Sequence, residues 1–199
     1  MPASRAAFTR NDPDARRQDL IVACAHALAE HGAKGVSVRI VCAAAGVSPG
    51  LLRHYFSGID DLIAATYVHV GEQVSAALAD AIARAGDDPR ARLHAFVTAS
   101  FRPPIADPEL LATWLAFWSL VKTDPEIARL HRYIYATSRR MLESLLAECG
   151  VEPDALRLAA IAITALVDGL WLERSLDPST FTPEEAGLIA ARWLETLLP

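Results

Sequence analysis

The chain has 199 residues, of which 52% are hydrophobic and 22% charged, and its formal net charge is −5. This composition excludes a disordered or fibrous chain, and the length is sufficient for one or two domains with a substantial core. The cysteines Cys24, Cys42 and Cys149 form no CxxC pair, so we expect reduced thiols and neither a disulfide framework nor a zinc site.

Charge is distributed unevenly along the chain. Residues 1–58 carry seven basic and four acidic side chains, a net charge of +3, whereas residues 59–199 carry 12 basic and 20 acidic side chains, a net charge of −8. A basic N-terminal part on an acidic body indicates that the N-terminal part binds a polyanion.

Apolar residues recur at helical spacing along nearly the whole chain, which predicts an all-α fold. The first helix is expected over about 14–30, and the second begins at Ser37, a residue type that caps helices. A tight turn and a short third helix precede a long fourth helix at about 60–85. We expect five further helices near 88–102, 108–123, 125–149, 153–176 and 183–198.

The most apolar segment, 155–172, is long enough to be considered as a membrane span. It contains Arg157 and Asp168 and is rich in alanine, so we expect a buried helix of a bundle and no membrane partner. No apolar stretch follows Arg5 and Arg10, so we expect no signal peptide and a cytoplasmic location.

Residues 43–56, with the sequence AAAGVSPGLLRHYF, have the features of a tight turn between two short helices. Gly46 is expected to end the second helix in a left-handed conformation, while Ser48 caps the third helix and Pro49 occupies its first position. Leu52 and Phe56, four residues apart, form an apolar stripe for the core.

This spacing is that of a helix-turn-helix, whose second helix enters the major groove of DNA, although an ordinary helical hairpin has the same spacing. In a helix-turn-helix, Arg53 can reach a guanine edge or a phosphate. His54 and Tyr55 can bond phosphates.

The motif GVSPGLLRHYF, placed before a long fourth helix, resembles the DNA-binding head of the TetR family of ligand-responsive repressors. The resemblance implies a three-helix head at 1–58 and a larger helical effector-binding and dimerisation domain at 59–199. It also implies a homodimer that binds double-stranded operator DNA and is released from it by a small molecule. The DNA-binding residues that follow are Ser37, Arg39, Ser48, Pro49, Gly50, Leu51, Arg53, His54 and Tyr55.

Pairing of two chains through the last two helices is a further implication of the resemblance. Those helices would form a four-helix bundle across a two-fold axis. The small and aliphatic residues suited to it are Leu158, Ala162, Ala165, Leu166, Leu188, Ala191, Leu194 and Leu198.

Two positions depart from the pattern of the family. Ile59 stands where many members have a lysine that grips a phosphate, and Arg53 stands where tyrosine is common. The resemblance therefore implies weaker phosphate contact at the start of the fourth helix. Arg16, Arg17 or Arg39 could supply the compensating charge.

Aromatic residues of the body are concentrated in TWLAFW at 113–118, RYIY at 132–135 and DGLWL at 168–172. Within the family these stretches are most similar to the choline-responsive repressors of betaine metabolism. Aromatic faces and a carboxylate attract a quaternary ammonium ion, which makes choline or a similar cation the implied effector. The ligand-binding residues on this hypothesis are Trp114, Phe117, Trp118, Tyr133, Asp168 and Trp171.

Other readings of the same residues stay open. Aromatic stripes are more often core, and Asp168 could pair with Arg139 or Arg140. The effector could be a drug, an acyl group or another amine, and the protein could oligomerise without binding DNA. A helical enzyme is the least favoured class, because the chain has no Glu-x-x-His pairs, phosphate-binding glycine loop, nucleophile elbow or Cys/His cluster. We therefore expect no catalytic residues, no metal and no cofactor.

Overall fold

The structure is a computed structural model that describes residues 13–199. The first twelve residues of the predicted head, with Arg5 and Arg10, lie outside this range. Nine α-helices and no strand occur within it, so the all-α prediction is confirmed. The helices are α1 (Pro13–Gly35), α2 (Val38–Ala45), α3 (Pro49–Tyr55), α4 (Ile59–Arg84), α5 (Pro89–Ala99), α6 (Pro108–Leu120), α7 (Pro125–Glu148), α8 (Leu156–Leu176) and α9 (Pro183–Glu195).

Most helix starts agree with the prediction because the sequence contains explicit capping residues. A proline at the first turn has a fixed φ angle suited to a helix and lacks the N–H group that would be unpaired there. In five helices the residue before this proline accepts a hydrogen bond from a backbone N–H of the first turn. These capping residues are Ser48, Asp88, Asp107, Asp124 and Thr182.

Four helices, α5, α6, α8 and α9, are about three residues shorter than predicted because backbone turns occupy their ends. The predicted start of α8 at residue 153 is a turn in which the Ala155 N–H donates to the Glu152 carbonyl, and the helix begins at Leu156. The end of α6 is a similar turn, in which the Thr123 N–H donates to the Leu120 carbonyl.

The three helices of the head meet in an apolar core that is continuous with the core of the body. Leu20, Cys24 and Leu28 of α1 are fully buried and lie in one core cluster with Val41 of α2 and Leu52 of α3. Gly32 has a left-handed φ of 64° and interrupts the helical backbone near the end of α1. This break lets the chain turn into α2 without the strain that a larger residue would carry there.

The body is built around α4, which packs against α1 of the head and against α5 and α7. Helix α1 also packs along α6, so the head rests on two helices of the body. Helix α8 lies between α7 and α9 and contacts α6. Helices α4 and α6 therefore support the head, and they also line a cavity of the body.

Residues 153–176 form the one segment of 13–199 that is long and apolar enough, by length and composition, to cross a membrane. In the single chain only 22% of its most apolar window is buried, which is less than the buried helix that we predicted. Its buried residues all lie on the side that faces the body, and they are Ala159, Ala160, Ile163 and Trp171. The other side of α8 is apolar and exposed, and it includes Leu158, Leu172 and Leu176.

Candidate DNA-binding and effector sites

The turn between α2 and α3 has the predicted geometry. Gly46 is left-handed, with φ 63° and ψ 34°, and its N–H donates to the Ala43 carbonyl. The Val47 N–H donates to the Cys42 carbonyl at 3.0 Å, which closes the end of α2. Ser48 then caps α3 by accepting from the Leu51 N–H at 3.2 Å.

Helix α3 presents polar side chains because its apolar side is held in the core. Leu52 and Phe56 are buried, whereas Arg53 and His54 are exposed and Tyr55 is half-buried. The remaining residues of the predicted DNA surface lie at the starts of α2 and α3. Ser37 and Ser48 serve there as helix caps, while Arg39, Pro49 and Gly50 are exposed and Leu51 is half-buried.

Arg17 of α1 lies beside the end of α3. Its guanidinium carbon is 5.0 Å from the centre of the Phe56 ring, which is a cation–π contact. Arg16 faces Asp19, at 3.5 Å between Nη1 and Oδ2. Ile59 is the first residue of α4 and packs against the core. Of the two neighbouring arginines, Arg17 is therefore the one that contacts Phe56, three residues before Ile59 in the sequence.

The body encloses a cavity of about 100 Å³ between α4, α5, α6, α7 and α8, which we call the inner cavity. Its aromatic walls are Phe96, Trp114, Tyr135 and Trp171, and Asp168 supplies a carboxylate. Three of the six predicted ligand-binding residues, Trp114, Asp168 and Trp171, thus meet in one cavity.

Hydrogen bonds fix the orientation of two aromatic side chains of the inner cavity. Trp171 donates from Nε1 to the Ser100 carbonyl at 2.9 Å. The Tyr135 hydroxyl accepts from Trp118 Nε1 at 3.1 Å and donates to Oδ1 of Asp168 at 3.4 Å. By contrast, the buried Nε1 of Trp114 has no hydrogen-bond partner among the described residues.

Asp168 is the electrostatic centre of this region. Burial raises the pKa of its carboxyl group to about 6, and the hydrogen bond from Tyr135 and the charge of Arg139 oppose this shift only in part. Burial, together with the nearby charge of Asp168, raises the pKa of the Tyr135 hydroxyl, which keeps it a hydrogen-bond donor. At neutral pH the site therefore holds a largely ionised carboxylate in poorly solvated surroundings.

A second and more open depression of about 440 Å³ lies on the other side of Tyr135 and Asp168, and we call it the outer groove. Its walls include Trp118, Lys122, His131 and Arg139. His131 Nδ1 lies 3.0 Å from the Tyr67 hydroxyl, and its pKa is lowered by burial and then by the charges of Arg139 and Arg132.

The other predicted ligand-binding residues are placed differently. Trp118 lines the outer groove, whereas Phe117 is fully buried against the Tyr67 ring, with 4.5 Å between ring centres. Tyr133 is 65% exposed and lines neither space.

The structure does not support the alternative of an ion pair between Asp168 and an arginine. Within residues 13–199, neither Arg139 nor Arg140 approaches the Asp168 carboxylate to within 4.0 Å. Arg140 instead donates to the Thr137 hydroxyl at 3.1 Å. The charge of Arg139 therefore acts on Asp168 only from a distance.

Sequence reasoning missed the contribution of α4 and the role of Tyr135. Gly71 and Val74 of α4 line the inner cavity. A Cβ atom on Gly71 would lie 2.6 Å from Cδ1 of Ile134 on α7, so glycine permits the close approach of these two helices. The tyrosines at 133 and 135 were a usable signal. Residues two positions apart on a helix point in nearly opposite directions, so when Tyr133 faces solvent Tyr135 faces the interior.

Two polar contacts join the wall of the inner cavity to the head. Thr113, the neighbour of Trp114, donates its hydroxyl hydrogen to the Glu109 carbonyl at 2.9 Å and lies 3.3 Å from the Ala25 carbonyl of α1. The Glu109 carboxylate contacts His26 Nδ1 of α1. Helix α6 thus contacts α1 of the head through Thr113 and Glu109. No cluster of His, Cys, Asp and Glu suited to a metal ion occurs between residues 13 and 199.

Comparison with known proteins assigns both parts of the chain. Residues 20–66 match the model of bacterial regulatory proteins of the tetR family, and residues 89–199 match that of the C-terminal domain of BetI-type transcriptional repressors. The HTH-type transcriptional regulator BetI of Burkholderia thailandensis is 37% identical over 185 residues, which cover 92% of this chain and 93% of that protein. BetI of Paraburkholderia phytofirmans is 34% identical over the same length.

Solved structures agree with this assignment. A protein of Pseudomonas aeruginosa PAO1 described as a transcriptional regulator is 42% identical to this chain. The match covers 96% of this chain and 94% of that protein, and the two structures superpose with a TM-score of 0.86. A regulator of Saccharomonospora viridis in complex with choline shares the fold with a TM-score of 0.80, at 17% identity and with 93% and 98% of the two chains covered.

Members of the TetR family bind operator DNA as dimers and are not enzymes. The chain therefore belongs to the TetR family of transcriptional regulators and is a repressor with a BetI-type C-terminal domain.

Proposed function

We propose that this repressor responds to choline or a similar small quaternary ammonium ion, held in the inner cavity. The observation that carries the proposal is the partly buried Asp168 carboxylate, which lines one cavity with Trp114, Tyr135 and Trp171 and has no cation of residues 13–199 within ion-pair distance. A buried carboxylate is costly unless it is paired, and aromatic faces attract an ammonium ion that cannot donate hydrogen bonds. The BetI name of the relatives and the choline complex of a protein with the same fold support this choice of ligand.

The size of the inner cavity also favours a small effector. Its volume of about 100 Å³ lies well below the roughly 300–1,000 Å³ typical of pockets for drug-sized molecules. A drug or a long acyl chain would therefore need the walls to move further apart than a small ammonium ion would. A repressor for a small amine is the second candidate, because a primary or secondary amine would also satisfy Asp168.

Ligand binding would release the repressor from DNA through the contacts between α6 and α1. A ligand against Trp114 acts on the helix that holds Thr113 and Glu109, and these two residues contact Ala25 and His26 of the head. The ligand needs only a differential affinity of about 1–3 kcal/mol between the two head arrangements to change operator occupancy appreciably.

The dimer is proposed to form through α8 and α9, and this accounts for the exposed apolar side of α8. Leu176 and Leu188 are 72% and 69% exposed in the single chain, and Leu158, Leu172 and Ile189 are exposed on the same two helices. A four-helix bundle with a second copy would cover them. Leu194 has no part in this face, although the sequence suggested it, because it packs in the core of its own chain. Glutamate at both 176 and 188 should yield monomers in sedimentation; a persistent dimer would refute this interface.

On DNA, α3 is proposed to enter the major groove with Arg53, His54 and Tyr55 facing bases and phosphates. Two heads of a dimer would occupy half-sites about one helical turn apart. A regulator of this kind works in the cytoplasm, where its operator lies.

Direct titration tests the effector proposal. Tryptophan fluorescence or calorimetry of the full chain should detect choline and tetramethylammonium at up to millimolar concentration, and Asp168→Asn should bind at least tenfold more weakly. Ammonium chloride at equal ionic strength is the control. No binding of either quaternary ion, by a protein that still binds its operator, would refute the proposal.

A further inference from the structure

We propose that the effector site continues from the inner cavity into the outer groove and accepts a quaternary ammonium compound that also carries an anionic group, a carboxylate or a phosphate. This inference rests on the proposed function, because the ammonium head occupies the inner cavity. It adds a second half to the ligand and a second set of protein contacts.

The two spaces share two of their lining residues. Tyr135 and Asp168 line both the inner cavity and the outer groove, and they are hydrogen-bonded to each other. A ligand whose ammonium group lies on the inner side of Asp168 therefore has its other end close to the groove. Trp118 holds the Tyr135 hydroxyl from the groove side, so aromatic rings line both halves of the path.

The two halves differ in the sign of their charge. Asp168 is the one charged residue of the inner wall, whereas the outer groove adds Lys122 and Arg139. A molecule with a positive end and a negative end matches this arrangement in one orientation only. For choline the positive groove contributes repulsion, since choline carries a positive charge and no negative one.

Arg139 has donor capacity that the described residues leave unused. Its Nε atom is buried without a hydrogen-bond partner, and its guanidinium carbon lies 5.9 Å from the centre of the Tyr135 ring. A buried N–H without an acceptor is costly, and a guanidinium binds carboxylate and phosphate oxygens through two parallel hydrogen bonds. Arg139 lines the outer groove, so an anionic group held there would lie against its side chain, whose guanidinium is a hydrogen-bond donor.

A simpler role for Arg139 is to balance the charge of Asp168 from a distance. The two roles predict different patterns of affinity across ligands when the charge of Arg139 is removed. If Arg139 only balances Asp168, its loss changes the affinity for every quaternary ammonium ligand in the same direction. If Arg139 binds the anionic end, its loss weakens zwitterionic ligands and leaves choline unchanged or bound more tightly.

Calorimetric titration of the full chain with choline, glycine betaine and phosphocholine separates the two roles. We expect at least one of the two zwitterions to bind ten times or more tightly than choline, and the preferred one identifies carboxylate or phosphate as the anionic group. Arg139→Gln should weaken that zwitterion at least tenfold and leave choline unchanged or bound up to a few times more tightly. Arg140→Gln is the matched control, because Arg140 is exposed, bonded to Thr137 and absent from both spaces, and it should change nothing.

The proposal is overturned if neither zwitterion binds more tightly than choline, or if Arg139→Gln shifts all three affinities alike. Should Arg139→Gln fail to fold, Arg139→Lys is the second variant, because it keeps the charge but cannot form two parallel hydrogen bonds. A loss of affinity confined to the zwitterion in that variant supports the proposal. An equal loss of affinity for all ligands overturns it. If only this inference fails, choline still binds and its binding still depends on Asp168. If no quaternary ion binds, the proposed function itself fails.

Discussion

Tyr135 donates its hydroxyl hydrogen to Oδ1 of Asp168 over 3.4 Å, at the boundary between the inner cavity and the outer groove. The other oxygen, Oδ2, accepts no hydrogen bond from any residue between 13 and 199. A carboxylate held by one bond and otherwise poorly solvated is positioned for a cation.

Choline affinity should depend on pH with a midpoint near the raised pKa of Asp168. Burial places this pKa at about 6 in the free protein, and a bound cation favours the ionised carboxylate and lowers it. Affinity should therefore be nearly constant above pH 7 and fall about tenfold per pH unit below 6. Calorimetry between pH 5 and pH 8 measures it. A flat profile in the wild type would contradict the role of Asp168, and Asp168→Asn should itself give a flat profile.

Removal of the Asp168 charge should stabilise the ligand-free protein. The folded-state pKa of this group is raised from 3.8 to about 6, so ionisation costs stability as the pH rises through that window. At pH 7.5 Asp168→Asn should raise the free energy of unfolding by about 1–3 kcal/mol, and the difference should vanish below about pH 4. Urea unfolding at the two pH values measures it. A variant that is less stable at pH 7.5 would show that the carboxylate supports the fold.

Gly46 should be required for the turn because of its backbone conformation alone. Its φ is 63° and a Cβ atom there would meet nothing within 4 Å, so Gly46→Ala carries only the left-handed strain of about 1–2 kcal/mol. Gly50→Ala is the matched control, because Gly50 lies in regular helix and alanine there should stabilise by about 0.5–1 kcal/mol. Thermal unfolding of both variants checks the opposite signs, and equal effects would refute the turn geometry.

Arg17 should supply phosphate contact at the end of α3. Its guanidinium lies over the Phe56 ring at the end of α3, and it has no acidic partner within 4.0 Å among residues 13–199. Each phosphate contact contributes about 0.9 to the slope of log affinity against log salt, so Arg17→Ala should reduce the slope by roughly 2 for a dimer. Arg17→Lys should keep the slope, and Arg16→Ala should change it less because Arg16 faces Asp19. An unchanged slope in Arg17→Ala would contradict this assignment.

The fold was predictable from the sequence where the chain contains explicit local signals. Asp124-Pro125 and Thr182-Pro183 mark helix starts, and Gly46 with Ser48 marks the turn, because these residue types cap helices by their own chemistry. The dimensions of the effector cavity were not predictable, since they depend on how α4 and α7 approach each other at Gly71.

The candidate site was only partly predictable because helical spacing does not show which face meets a cavity. Trp114 and Phe117 share one side of α6, yet Trp114 lines the inner cavity and Phe117 is enclosed by core residues. Tyr133 and Tyr135 lie about 200° apart around α7, so one is exposed and the other faces Asp168. Rotation of each helix about its axis is set by packing against all of its neighbours.

Operator release by choline is the most direct test of the account. Fluorescence anisotropy of the full chain on its own upstream DNA, at fixed salt, measures the operator affinity with and without choline. We predict that saturating choline weakens the binding of wild type about fivefold or more, and that Asp168→Asn binds the operator normally but does not respond. The account is contradicted if choline leaves the operator affinity of the wild type unchanged, or if Asp168→Asn responds as the wild type does.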